Sequence, residues 1–560
     1  MSTKGFSYCV NNLRSIREMD IIELKKINIL VGKNSVGKSS FLRSLWLIKR
    51  SLSSRSGAPI MWYGGREDPI DFGDFQTSLN RLASEDVIKF KFSISKLRRK
   101  YTSDFFSRNF IFNSKFNQRI QMASDLFLEV HVKDISGVTR KHKAIASFKL
   151  NGRSVKIDID YKSIDTIGPD QLESDASDLS IRAVKCYVKI DDKNILSFFE
   201  KQDLRFIDVS NTLFPSLAPA LDRDGELSVL ADFPECAEFL LFNTIKKKKN
   251  NVHGNVSSID VVVRNILTLI SGGEFNKEKL QSLMVASKPH WMKEFYKNLS
   301  DESSYLFKKI SAIEWLLASG VMIGYIGEAV GEIINSTINI GPLRANVERF
   351  YRVQDLQTSS IEPDGSNLAM WLSSLSDKNR KEFSSFVERL FGYKVEIKRT
   401  ASNVSIIIVN EDVSMNVVDT GFGISQMLPI LSLIWLSGMS RSARAGASTR
   451  WTITPVLVEQ PELHLHPAYQ ARLADAFVEA FQGENDDVRF VIETHSEALL
   501  NRFGDLVVDG AIEPDDIQIL VFDDGNLSGD KSGGVNISIA KFDEEGRLIN
   551  WPFGFFNRDI

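Results

Sequence analysis

The chain has 560 residues, 43% hydrophobic and 25% charged, which is the composition of a folded protein of roughly two to four domains. Lysine and arginine number 69 against 72 aspartate and glutamate, so overall charge indicates neither a nucleic acid nor a membrane partner. These values exclude disordered, collagen-like and disulfide-rich classes. No apolar signal segment opens the chain, and glutamates interrupt its most apolar stretch, residues 312–334. We therefore expect a cytoplasmic protein without a membrane span.

The predicted elements change character along the chain. Residues 27–31 form an apolar strand that leads through a glycine-rich turn into an apolar-periodic helix, the opening of an α/β unit. Strand-like runs separated by polar turns predict an antiparallel β subdomain over 86–192. Longer helical patterns predict an inserted helical region over 193–336. Strands and helices alternate again over 337–560, which predicts a discontinuous domain, 1–85 with 337–560, around a mixed or parallel sheet.

Residues 32–39, GKNSVGKS, match the phosphate-binding pattern G-x-x-x-x-G-K-[ST] in full and stand between a predicted strand and helix. In such a loop the backbone N–H groups point at phosphate oxygens, and the helix start adds positive charge. Lys38 would reach the β- and γ-phosphates, and Ser39 would offer its hydroxyl to Mg²⁺. The candidate binding residues of this loop are Gly32, Asn34, Ser35, Gly37, Lys38, Ser39 and Ser40.

Three later segments add polar groups suited to the same site. The apolar strand predicted at 453–459 ends in Glu459, a carboxylate placed to face Mg²⁺. The next strand is followed by His495, which can hydrogen-bond a γ-phosphate or the attacking water. A lone histidine is more often structural, yet this one follows the other segments at the expected strand spacing. Residues 419–431, DTGFGISQMLPIL, place a Gly-x-Gly turn before an apolar helix, which also suits phosphate contact.

In this order the four segments resemble the ABC-type ATPases of the RecF/SMC and overcoming-lysogenization-defect (OLD) class. The phrases LVEQPELHLHP, THSEALL, VDTGFGISQMLPI and NWPFGFF are most similar to the PtuA-like ATPases of Septu anti-phage defence, some of them encoded with retrons. The resemblance covers about residues 1–80 and 337–560. It implies an ABC-type P-loop ATPase head that uses ATP and Mg²⁺, with Glu459 and His495 in the catalytic centre and Ser39 and Glu459 beside the metal.

The resemblance also implies a homodimer in which two heads enclose two ATP molecules. The signature turn, with Gly423, Ser425 and Gln426, would then contact the nucleotide held by the P-loop of the other copy. Gln76 would link Mg²⁺ to the inserted region as the Q-loop residue. Arg344 and Arg349 could pair with phosphate or form structural salt bridges.

One departure from this pattern concerns hydrolysis. Most ABC ATPases end the acidic strand with Asp-Glu, and the second residue is the base that activates water. Here the pair is Glu459-Gln460. An amide can orient water but cannot accept its proton at neutral pH, so we expect slow hydrolysis in which ATP binding and head closure matter more than turnover. Glu462 could substitute, although the proline before it leaves its direction open.

Residues 89–119 hold nine basic and eight aromatic residues against one acid, Asp104. Single-stranded nucleic-acid sites combine cations for phosphates with rings for base stacking in this way. The alternative is that the rings face a core and the cations face water. The lysine run at 246–249 is more typical of a solvated loop.

Three functions are compatible with these features. The first is an ATP-dependent switch that regulates a partner effector in anti-phage defence, an HNH-like nuclease, with a retron reverse transcriptase and its nucleic acid as a further candidate partner. The second is a self-contained OLD-type nuclease, for which the 65 residues after His495 leave no room for a Toprim domain. The third is a RecF-like DNA-binding repair ATPase. An SMC protein is disfavoured because residues 195–335 show no sustained heptads.

Overall fold

The chain forms two compact units in a computed structural model. Unit 1 comprises Met1–Ser7, Ser54–Ile60 and Lys89–Gly331, and unit 2 comprises Tyr8–Ser53, Met61–Ile88 and Glu332–Ile560. The structure describes residues 5–54, 58–64, 70–96, 120, 122–161, 182–199, 205–208, 210, 212–223, 226–229, 233–249, 257–271, 277–341, 348–352, 361–362, 364–411, 413–439, 453–481, 487–523 and 535–551.

Strands and helices are numbered along the chain. The strands are β1 Phe6–Asn11, β2 Ile22–Glu23, β3 Ile27–Gly32, β4 Ile88–Lys96, β5 Ser124–Ile135, β6 Val138–Leu150, β7 Arg153–Asp160, β8 Arg182–Ile190, β9 Lys193–Asn194, β10 Arg205–Asp208, β11 Leu217–Arg223, β12 Glu226–Val229, β13 Ile338–Ile340, β14 Tyr351–Arg352, β15 Lys394–Arg399, β16 Asn403–Asn410, β17 Val413–Asn416, β18 Thr454–Glu459, β19 Val488–Glu493, β20 Ile517–Asp523, β21 Asn536–Phe542 and β22 Leu548–Ile549. The helices are α1 Lys38–Ser53, α2 Phe75–Ser78, α3 Phe233–Lys249, α4 Ser257–Ser271, α5 Lys277–Ala286, α6 His290–Leu299, α7 Tyr305–Asn335, α8 Leu368–Ser374, α9 Asp377–Phe391, α10 Phe422–Gly438, α11 Pro467–Glu479 and α12 Glu497–Val508.

Unit 1 contains a large sheet with the strand order β12-β11-β10-β8-β7-β6-β5-β4, and β9 pairs with β8. The pairings from β5 to β12 are antiparallel. Alternate residues of β7, such as Val155, Ile157 and Ile159, are buried, as expected for a sheet with one face on a core. The sheet continues to Val229, past the predicted start of the helical region at 193. The prediction missed these strands because strands of four to seven residues carry too few alternating positions to be recognised.

The helical part of unit 1 follows the sheet. Residues 277–299 form two helices, since Pro289 occupies the N-cap position of α6 and cannot continue α5. Helix α7 has 31 residues and, in the described part of the chain, is long and apolar enough by composition to cross a membrane. However, 83% of its most apolar window is buried inside the fold, which is typical of a core helix.

Unit 2 is built on a seven-stranded sheet of order β13-β18-β19-β3-β20-β21-β22. The first five strands run parallel, and β21 and β22 are antiparallel additions. All residues of β3 and β19 are buried, as expected for central strands of a parallel sheet that is covered on both faces. A smaller antiparallel sheet, β14-β16-β15 with β17 on β16, lies in the same unit. The parallel order brings the carboxyl ends of β3, β18 and β19 to one edge, next to the start of α1.

Candidate functional site

The phosphate-binding loop joins β3 to α1. Gly32 has φ 150°, and a Cβ there would lie 2.4 Å from the carbonyl oxygen of Phe522 on the adjacent strand β20. Gly37 has φ 110°, and its Cβ would lie 2.7 Å from Ser15 Oγ. Ser35 is also in the left-handed region at φ 65°. Glycine is required at both loop positions, because a side chain would collide with the neighbouring backbone or side chain.

Lys38 closes back on the loop that precedes it. Its Nζ donates to the carbonyl oxygens of Gly32 at 2.8 Å and Lys33 at 2.7 Å, and the residue is only 3% exposed. Burial lowers the pKa of Lys38, and the nearby Glu493 carboxylate opposes that shift. The loop therefore holds a buried ammonium group among backbone dipoles, which is the charge that a triphosphate would complement.

Two glutamates meet at the ends of neighbouring parallel strands, where Glu459 of β18 stands opposite Glu493 of β19. Ser39 Oγ donates to Glu493 Oε1 at 2.8 Å. Glu459 accepts a bidentate bond from Arg43, with Nε at 2.9 and 3.0 Å and Nη2 at 2.6 Å. The sequence predicted that Glu459 would face the Mg²⁺ to which Ser39 offers its hydroxyl. In the structure Ser39 contacts Glu493 and Arg43 contacts Glu459, because Ser39 and Arg43 lie one turn apart on the same face of α1 and meet different strands.

The electrostatics of this pair follow from its burial. Burial raises the pKa of Glu493, the Ser39 hydrogen bond opposes the rise, and the Glu459 charge adds to it. The hydrogen bonds that Arg43 donates to Glu459 raise the pKa of Arg43. Carboxylates, a hydroxyl and a lysine gathered at the start of a helix are the groups that bind a nucleotide with Mg²⁺, so the residues present fit such a ligand.

The loop after β18 is hydrogen-bonded to the end of β19 and to the residues that follow it. Gln460 has φ 43°, and its N–H donates to the carbonyl of Glu493 at 2.8 Å. Glu462 Oε1 accepts from the backbone N–H of His495 at 2.7 Å, which resolves the direction that the sequence left open. Burial lowers the pKa of His495, and Lys38 lowers it further. The structure thus brings Gln460, Glu462 and His495 together at the strand ends that carry the two glutamates.

The signature turn begins helix α10, and Gly421 at its N-cap is exposed with φ 92°. Ser425 and Gln426 are 7% and 4% exposed, and a Cβ on Gly423 would lie 3.2 Å from the carbonyl oxygen of His464. The turn therefore packs on the loop after β18 of its own chain. Its accessible part is the backbone near Gly421 and Gly423 and not the side chain of Gln426.

The remaining candidates belong to other segments of the chain. Gln76 is exposed on the short helix α2. Arg349 makes a bidentate ion pair with Asp419, at 2.9 Å from Nη1 and 2.5 Å from Nη2, which favours the structural role that the sequence left open. Arg344 falls outside the described residues.

The basic and aromatic stretch is described only as far as residue 96. Phe90 and Phe92 on β4 are 0% exposed, and the Phe92 ring lies 5.6 Å from that of Phe214. These two rings belong to a core and are not available for base stacking. Residues 97–119 lie outside the described part of the chain, as do the side chains of 247–249, so the nucleic-acid prediction stays a prediction there.

A cleft of about 760 Å³ adjoins the phosphate-binding loop, and the sequence did not indicate it. Its lining includes Arg14, Ser15, Ser35, Val36 and Asn80. Arg14 lies 4.4 Å over the Phe72 ring and donates to the carbonyl of Asp71 at 2.9 Å. Burial lowers the pKa of Arg14, and Arg43 lowers it further. The signal in the sequence was weak, because only a polar NLRS stretch after an apolar run marks this loop.

Comparison with known proteins gives the family. A family model described as "AAA ATPase domain" matches residues 8–500. The chain belongs to the AAA ATPase domain family. Membership confirms the predicted ATPase class and implies use of ATP, usually with Mg²⁺. No curated protein is significantly similar to the chain.

Solved structures of SMC heads are also similar to this ATPase domain. "SMC head domain from Thermotoga maritima" aligns at 9% identity and TM-score 0.32, covering 96% of this chain and 98% of that one. "Crystal structure of the SmcHead bound to the C-winged helix domain of ScpA" aligns at 9% identity and TM-score 0.31, covering 97% and 99%.

Proposed function

We propose that this ATPase is a cytoplasmic switch of ABC type that binds ATP with Mg²⁺, dimerises on the nucleotide, hydrolyses it slowly and so regulates a partner effector. The observation that carries this proposal is Gln460, an amide at the position after the acidic strand. Its backbone N–H is bonded to the Glu493 carbonyl at 2.8 Å. Because the Gln460 side chain is an amide, it can orient a water molecule but cannot take its proton.

The nucleotide would be held by the loop from Gly32 to Ser40. Lys38 would exchange its carbonyl partners for phosphate oxygens, and the start of α1 would add its partial positive charge. Ser39 and a strand-end glutamate would hold Mg²⁺, which neutralises charge on the β- and γ-phosphates when bound. Gln460 and His495, at the same strand ends, are placed to orient water or a phosphate oxygen.

Slow turnover is tested by steady-state and single-turnover ATP hydrolysis. We expect a kcat well below about 10 s⁻¹, the median for enzymes. Gln460→Glu restores a carboxylate and should raise the single-turnover rate by about 100-fold, the lower end of the range for general-base catalysis. Lys38→Ala is the control for hydrolysis by contaminants. A wild-type kcat at or above that median would contradict the slow switch.

Dimerisation is supported by the shape of the signature turn. Gly421 is exposed and, having no side chain, leaves the first N–H groups of α10 open to an anion of another molecule. For the wild-type protein, light scattering after size exclusion should show a monomer without nucleotide and a dimer with ATP. Gly423→Asp, which puts a negative charge at this turn, should remain monomeric while still binding ATP. Retention of the ATP-dependent dimer in that variant would remove the turn from the interface.

The partner effector is proposed to be an HNH-like nuclease of anti-phage defence, in some systems with a retron reverse transcriptase and its nucleic acid. The support is the resemblance of LVEQPELHLHP, THSEALL and VDTGFGISQMLPI to PtuA-like ATPases. Purification of the native complex with ATP, followed by mass spectrometry of bound protein and sequencing of bound nucleic acid, tests this assignment. Recovery of a nuclease that is lost in Lys38→Ala supports it.

A RecF-like DNA-binding ATPase is the second candidate. The basic residues of 89–119 favour it, although Phe90 and Phe92 of that stretch are in a core. Recovery of DNA without a nuclease in the same purification would favour this alternative.

A further inference from the structure

We infer that Glu493, and not Glu459, is the carboxylate that holds the divalent cation of the nucleotide together with Ser39. The inference deepens the proposed ATP site and depends on it. Ser39 is the hydroxyl that the loop offers to the metal, and its Oγ lies 2.8 Å from Glu493 Oε1. A hydroxyl and a carboxylate at hydrogen-bond distance can share a cation after a small adjustment, since both are oxygen ligands of the kind that Mg²⁺ prefers.

The second oxygen of Glu493 provides independent support. Glu493 is 4% exposed, and within the described residues its Oε2 is buried and accepts no hydrogen bond. A buried carboxylate oxygen that lacks a partner is unusual in a folded protein, since buried polar groups are generally hydrogen-bonded or bound to an ion. A cation coordinated at this position would satisfy that oxygen and neutralise the buried charge.

Glu459 is less suited to this task because it is already engaged. Arg43 donates to both of its oxygens, and the side chain of Glu459 is only 3% exposed. To bind the cation directly, Glu459 would have to leave an ionised partner that carries a fixed positive charge. The arginine therefore serves to hold Glu459 in place beside Glu493, while Glu493 faces Ser39.

The expected composition of the site agrees with the rest of the structure. In the described part of the chain, no group of three or more His, Cys, Asp or Glu side chains is arranged to hold a metal by itself. Mg²⁺ is commonly bound by one or two carboxylates, water and substrate phosphates and not by an all-protein cage. Glu493, Ser39 and the nucleotide would supply such a set.

The experiment compares ATP affinity with Mg²⁺ and with EDTA, measured by titration calorimetry on the full chain. In wild type we expect Mg²⁺ to tighten ATP binding. Glu493→Gln keeps the size of the side chain and an oxygen that can accept from Ser39, so affinity in EDTA should stay within about twofold while the gain from Mg²⁺ falls about tenfold or more. Ser39→Ala should lose the gain in the same way, and Glu459→Gln should keep most of it.

A second measurement uses Mn²⁺ as the probe. The electron paramagnetic resonance spectrum of Mn²⁺ bound with ATP should change in Glu493→Gln and remain like wild type in Glu459→Gln. Glu493→Asp, which keeps the charge, should recover part of the affinity gain. If Glu493→Gln keeps the gain and Glu459→Gln loses it, the inference is overturned and the proposed function stands. If wild type binds no ATP under either condition, the proposed function fails and this inference fails with it.

Discussion

The ion pair between Arg43 and Glu459 predicts a measurable loss of stability when the arginine is removed. Three nitrogen–oxygen contacts of 2.6 to 3.0 Å join the two side chains. Glu459 is 3% exposed, so Arg43→Ala leaves a buried carboxylate next to Glu493 without its compensating charge. Removing one partner of a buried pair costs about 3–5 kcal/mol. Because 27% of the Arg43 side chain is in water, we expect a smaller loss, about 2–3 kcal/mol.

Native-state hydrogen exchange of the β18 and β19 amides in urea measures this loss in the part of the fold that contains the pair. In the double variant Arg43→Ala/Glu459→Gln the stranded charge is absent, so part of the stability should return, with a coupling energy of about 1–2 kcal/mol. Arg349→Ala, which removes an exposed pair with Asp419, is the matched control and should change little. Additive losses in the two single variants, or no loss in Arg43→Ala, would refute the reasoning.

Three further changes have defined outcomes. Gly32→Ala should lower ATP affinity about tenfold or more in calorimetry, because its Cβ would lie 2.4 Å from the Phe522 carbonyl oxygen and cause backbone strain of about 1–3 kcal/mol. The control Gly341→Ala, whose Cβ would have open space around it, should leave the affinity unchanged. Burial lowers the pKa of Lys49 to about 8, so between pH 8 and 10.5 the unfolded chain holds a proton that the folded chain has released. The free energy of unfolding of wild type, measured in urea, should therefore rise by about 1–3 kcal/mol relative to Lys49→Met as pH increases through that window. Arg98/Arg99/Lys100→Ala should weaken binding of a single-stranded oligonucleotide and reduce its salt slope by roughly 2 to 3, and unchanged binding would remove the patch.

Much of unit 2 could be predicted from sequence because its strands carry strong local signals. The runs at 453–459, 488–494 and 517–522 are β-branched, apolar and bounded by polar turns, and they correspond to β18, β19 and β20 within one residue at either end. The phosphate-binding loop is equally recognisable, because the local backbone conformation and close packing require glycine at its fixed positions. The short strands β10 to β12 gave no comparable periodicity.

The contacts of the site could not be read in the same way. Both β18 and β19 end in a glutamate, but which carboxylate meets Ser39 depends on the rotation of α1 against the sheet, and a sequence pattern does not contain that angle. The burial of Ser425 and Gln426 likewise depends on the packing of α10 against the loop that holds His464. Arg14 lies at the cleft in contact with residues more than 50 positions away, and a single sequence gives no signal for such contacts.

The position of β3 in its sheet has a consequence for synthesis of the protein. This strand lies between β19 and β20, whose residues come more than 450 positions later in the chain. At about 5–20 residues per second, a ribosome needs on the order of tens of seconds to make those partners after β3 has emerged. During that interval both edges of an apolar strand lack their final neighbours, which invites aggregation and a role for chaperones. The nascent chain can complete the sheet around its phosphate-binding loop only after β20 has been synthesised.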